Sequence, residues 1–147
     1  MLKDLIRYTD VANRKMIAAF QGSGKALPEA ERLFSHILNS TRIWISRIKG
    51  ETPVVDRFDL LPVEEFSVWN QRNIEELYHI LEHTDLSARI SYPNSQGDKF
   101  NDVISDVLFH VVNHSTYHRA QVATQFRING VKPPATDYFL LKRKGEI

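Results

Sequence analysis

Residues 102–128 read DVISDVLFHVVNHSTYHRAQVATQFRI, and the fold turns on that stretch. Ile104, Val107, Leu108, Val111, Val112, Ser115, His118, Val122 and Phe126 recur at spacings of three and four, the period of a helix with one buried side. Asn129-Gly130 ends the pattern, and Pro133-Pro134 prevents an immediate restart. A short helical turn can follow at residues 137–142.

Working back toward the N-terminus, three more segments carry the same period. Leu2, Leu5, Ile6, Thr9, Ala12, Met16 and Phe20 form the first, stopped by Gly22-Ser23-Gly24. Pro28 opens the second, with Glu29 and Glu31 placed to favour the positive helix end. Leu33, Phe34, Ile37, Leu38, Thr41, Trp44, Ile45 and Ile48 are its stripe, and Gly50 fits just past its end. The third covers residues 63–83, with Phe66, Trp69, Leu77, Ile80 and Leu81 on its apolar side. Between residues 88 and 101 the period becomes two. Ala88, Ile90 and Tyr92 alternate with Arg89 and Ser91, and Pro93-Asn94-Ser95-Gln96-Gly97 is turn chemistry. The reading is an all-α four-helix bundle, with a small β-hairpin before the last long helix. The links from helix two to three and from three to four are long, so at least one is a crossover connection.

Composition bounds the rest. A chain of 147 residues fits one domain, taken as residues 1–147. Hydrophobic residues at 42% and charged residues at 25% describe an ordinary globular chain. No apolar run approaches the roughly 18 residues that cross a bilayer. A net charge of +1 gives no field that draws nucleic acid or an anionic membrane. The absence of cysteine removes disulfides, thiolate metal sites and cysteine nucleophiles. Met1-Leu2-Lys3-Asp4 does not resemble a secretory leader, so the expected location is cytoplasmic. Gly22-Ser23-Gly24-Lys25 fails the phosphate-loop pattern, because Ala19 and Ala26 stand at required Gly and Ser/Thr positions.

The six histidines carry the chemistry. His110, His114 and His118 lie four apart in one helix, and residues four apart are neighbours on one face. His114-Ser115-Thr116-Tyr117-His118 has the ligand spacing of HExxH, but Ser115 replaces its Glu, so the protease base is missing. Such a pair either binds a metal or serves as interfacial or capping residues. On a helical wheel, at about 100° per residue, His118 lies within the apolar stripe and His114 on its flank. His110 falls a further step toward solvent, so His114 and His118 suit a ligand pair better. A third ligand must come from another segment, and His36 lies on the flank of its own helix. His79 reads as a core or interface residue, and His83 as a charge favourable to the helix end. Arg119 reads as a helix-face charge, and Trp44 and Trp69 as core aromatics.

His110-Val111-Val112-Asn113-His114-Ser115-Thr116-Tyr117-His118-Arg119-Ala120-Gln121 closely resembles the signature of the DinB / YfiT-like metalloprotein superfamily. The stretch from Leu33 to Trp44, centred on His36, resembles that family's first metal motif, and residues 133–139 resemble its closing segment. The similarity covers nearly the whole chain. It implies an up-down-down-up four-helix bundle and a divalent ion, zinc or nickel, held by His36, His114 and His118. It also implies homodimers, and enzymes that use low-molecular-weight thiols such as bacillithiol, mycothiol or glutathione. Ala120 departs from the pattern, standing where the family often has Gly; if that Gly permits close helix approach, Ala120 narrows it.

Three neutral imidazoles leave a metal its full charge and open positions, the mark of a catalytic site. Such a site can activate water as hydroxide or a thiol as thiolate. No carboxylate stands in register with the three histidines, which favours thiol chemistry. Gln121 and Gln125 fall on the same flank as the histidines. The leading reading is a metal-dependent transferase or hydrolase acting on a small molecule. The other is a non-catalytic metal-binding or stress-response interaction protein. No nucleic-acid or membrane partner is expected.

Overall fold

A computed structural model describes residues 1–94 and 96–147; Ser95, read above as part of a turn, lies outside the described residues. The chain is mostly helical. Helix α1 covers Leu2–Gly22 and α2 covers Pro28–Ile48. A 3-10 turn at Val63–Glu65 leads into α3, Phe66–His83. Strands β1 (Arg89–Pro93) and β2 (Lys99–Val103) follow, then α4 (Ile104–Ile128) and the short α5 (Tyr138–Arg143).

Two boundaries differ from the sequence reading. The third helix opens as a 3-10 turn, because Pro62 holds extended backbone just before it. The fourth helix starts at Ile104, and the strand extends two residues beyond Asn101. Antiparallel pairing holds Asp102 opposite Ile90 and Val103 opposite Arg89, and Ile104 N donates to the Ala88 carbonyl. The hairpin therefore runs directly into α4. Its buried residue is Ile90, as the alternation predicts.

Helix α2 packs on α4 and on α3, and α1 packs on α3 and α4. Two apolar clusters fill the spaces between them. One gathers Phe20, Phe34, Phe66 and Phe126, one ring from each long helix, with neighbouring centroids 4.8–5.4 Å apart. The other joins Ile6, Ile45, Ile74, Leu77, Ile104, Leu108 and Val111 to Ile90 of the hairpin. Along each helix, buried polar residues stand between the members of the two clusters. They are Asn13 on α1, Asn39 to Thr41 on α2, Asn70 and Asn73 on α3, and Ser115 and Arg119 on α4. A polar belt thus crosses the middle of the molecule. Leu141 of α5 closes a smaller cluster with Tyr8, Ala12 and Val112.

Three further readings are corrected. Arg119 is not a solvated face charge: it is 2% exposed, because the belt supplies its partners. His79 is exposed rather than part of the apolar side, and its ring stacks on His83. Ala120 is exposed, so it narrows no helix approach. Trp44 and Trp69 are partly buried and pack against the two main clusters. Among the described residues no helix is long and apolar enough to cross a membrane.

Candidate metal centre

Helical spacing presents His110, His114 and His118 along one side of α4, and His36 comes from α2, which packs against it. His36, His114 and His118 converge, and one ring nitrogen from each lies within 4.8 Å of the others. The Nε2 atoms of His36 and His114 are 3.2 Å apart. Two nitrogens bound to one ion at about 2.0–2.1 Å, at a tetrahedral angle, stand about 3.3–3.4 Å apart. The cluster therefore can hold a metal ion. His110 packs on His114, with ring centroids 5.6 Å apart, and stays outside the three-nitrogen group.

The ring orientations suit the same role. The Nδ1 of His36 donates to the Arg57 carbonyl at 3.0 Å, since a carbonyl can only accept. The Nδ1 of His118 lies 2.7 Å from Oε1 of Gln121 and donates to it in the same way. With Nδ1 protonated, a neutral imidazole keeps its lone pair on Nε2. Burial pushes the pKa of His114 from 6.5 down to about 3, and its histidine neighbours push in the same direction. His36 is also lowered, chiefly by burial. Both rings are therefore neutral near pH 7, the form that ligates a metal.

The loop between α2 and α3 completes the site. Asn39 Nδ2 donates to the Asp59 carbonyl at 2.7 Å, and Leu61 N donates to Ser35 Oγ at 3.1 Å. Asp56 Oδ1 accepts from Phe58 N at 2.8 Å, which tightens the turn. So held, the loop lays Phe58 on the His36 ring, with centroids 5.4 Å apart and planes 14° from parallel. Two clefts flank the cluster. One, of about 320 Å³, opens past His36 and His114 toward Trp44, Arg47, Asp56 and His110. The other, of about 440 Å³, opens past His36 and His118 toward Gln121 and Gln125.

Sequence reasoning found the three histidines and placed Gln121 beside them. It missed the Arg57 carbonyl, Phe58 and Asp56, which sit on a loop with no periodicity. That loop also brings the Asp56 carboxylate to the wall of the first cleft.

A helical chain with three convergent imidazoles between two clefts has the make-up of a helical metalloprotein. The sequence matches the DinB family over residues 15–146, and the chain belongs to that family. It is also similar to Protein DinB of Bacillus subtilis (strain 168), 26% identical over 123 residues that span 77% of this chain and 72% of that protein.

Proposed function

We propose that His36, His114 and His118 hold one divalent ion, zinc or nickel, and that the protein is a metal-dependent enzyme. It would activate a low-molecular-weight thiol, or water, against a small molecule. The observation that carries this reading is the convergence of three ring nitrogens within 4.8 Å, two of the rings oriented through Nδ1. A divalent ion supplies positive charge that lowers the pKa of a thiol or a water. The chain's own residues do the rest. Gln121 and the Arg57 carbonyl hold the rings in one tautomer. Phe58 stacks on the His36 ring and limits its movement. Asp56 and His110 line the cleft and can accept a proton from a bound thiol or water.

The same reading takes residues 1–147 as one domain with its long helices in an up-down-down-up four-helix bundle. The packing of α2 on α4 and the long connections on either side of α3 support it. It includes a homodimer, for which exposed Phe109 and Tyr117 on α4 offer a face. Elemental analysis of tag-free protein tests the core of the proposal. The expected result is about one divalent ion per chain, lost in His114→Ala. No metal after incubation with zinc or nickel at neutral pH would sink it. A loaded protein that turns over no electrophile with any thiol, and no ester or amide with water, would favour a non-catalytic metal-binding role.

A further inference from the structure

Arg47 stands in the smaller cleft beside the histidine cluster. Its guanidinium carbon lies 4.6 Å from the Trp44 ring centroid and 4.4 Å from that of Tyr92. The two rings are nearly perpendicular, at 88°, so the guanidinium sits in the corner they make. Trp44 and Tyr92 pack on the apolar cluster behind them, and the Tyr92 hydroxyl donates to Asp102. Both walls of the corner are thus fixed. Among the described residues the Arg47 side chain has neither a hydrogen bond nor an ion pair. The neighbouring Glu51 is taken by Lys49. A half-buried guanidinium set against two aromatic rings, with no protein acceptor for its N–H donors among the described residues, is ready for an outside anion.

We infer that Arg47 determines specificity in this cleft and takes the carboxylate of a small monoanionic substrate or thiol. The inference rests on reading the histidine cluster as the reacting centre, and it names the ligand class of that site. Two features favour a carboxylate over a phosphate. The cleft carries Arg47 and Arg57 against Asp56, so it suits one negative charge better than two. The guanidinium held against Trp44 and Tyr92 presents a planar fork of N–H donors, which matches the two oxygens of a carboxylate. A cleft of about 320 Å³ admits only a small molecule.

The test uses a Trp69→Phe background, which leaves Trp44 as the only indole, with zinc-loaded and metal-free protein in parallel. Emission is followed on titration with 3-mercaptopropionate, with its uncharged amide 3-mercaptopropionamide, and with inorganic phosphate. The carboxylate should bind at least about tenfold more tightly than the amide, the size of a charged hydrogen-bonded pair. Arg47→Gln should abolish that preference while zinc content stays unchanged. Arg47→Lys keeps the charge and loses the fork, and should retain only part of the preference. The exposed Arg57→Gln should reduce it by a smaller factor. Equal binding of acid and amide, a preference that survives Arg47→Gln or is undiminished in Arg47→Lys, or tighter binding of phosphate would overturn the assignment. A carboxylate preference in protein that takes up no zinc would leave Arg47 assigned and remove the metal reading instead.

Discussion

His114 shows how a single side chain ties stability to pH. The unfolded chain protonates it near 6.5, whereas the folded, metal-free protein does so only near 3. Between those values the unfolded state binds more protons, so stability is complete above about pH 6.5 and falls as the pH drops below it. His36 and His110 are lowered by burial too and add to the same slope. Metal-free protein should therefore melt at steadily lower temperature from pH 7 to pH 5, and His114→Gln should flatten the profile. An unchanged melting temperature across that range would contradict the burial argument. A second residue-scale prediction concerns Gln121, whose Oε1 holds His118 Nδ1. Gln121→Ala should weaken metal binding by about 10–100-fold, the usual effect of losing such a partner. Competition with a chromogenic chelator reads it directly.

At the scale of elements, the polar belt links α1, α3 and α4. Asn70 Nδ2 donates to Asp10 at 2.8 Å, Asn13 Nδ2 to Asn70 Oδ1 at 2.8 Å, and Arg119 Nη1 to Asn13 Oδ1 at 3.0 Å. All three donors point the same way, so the chain of dipoles connects the Asp10 carboxylate to the buried Arg119 charge. Arg119 also donates to Thr116 on its own helix at 2.8 Å and lies over the Tyr8 ring. This anchors the turn of α4 that carries His118. Arg119→Ala leaves a cavity and an unpaired Asn13 oxygen, and should cost about 2–4 kcal/mol in urea unfolding. A solvated face charge would cost no more than about 0.5 kcal/mol. By its charge alone Arg119 reads as such a residue, although it stands four after Ser115 and three before Val122 on the buried side of α4. The amides that receive it, Asn13 of α1 and behind it Asn70 of α3, are far away in sequence, so α4 alone shows the position but not the partners. His114 and His118 were legible because their spacing lies within one helix, and His36 because the stretch around it resembles a family motif.

For the whole molecule, the two apolar clusters and the candidate metal centre do different work. The four rings of Phe20, Phe34, Phe66 and Phe126 draw one residue from each long helix, so Phe126→Ala should cost about 3–5 kcal/mol. Calorimetry of the variant should show one cooperative transition at lower temperature. The candidate metal centre ties α2 to α4, and an ion bound only by the folded chain stabilises it by mass action. At 100 times its dissociation constant the gain is about 2.7 kcal/mol. Chelation should lower the melting temperature of the wild-type protein and leave that of His114→Ala unchanged. Equal shifts in both would place the metal elsewhere.

By itself the sequence determined the helices and the hairpin, and it singled out the three histidines that the structure brings together. Each of these is written in local periodicity, turn chemistry or a short motif, which need no knowledge of what packs against what. Tertiary structure alone decided that the α2–α3 loop folds back to hold His36 through the Arg57 carbonyl and to bring Asp56 into the cleft. It alone decided that Asn13 receives the Arg119 charge, that His79 is exposed, and that Arg47 sits between Trp44 and Tyr92. The physical reason is common to all of them: an aperiodic loop and a polar side chain take their surroundings from distant segments, and only packing brings those segments together.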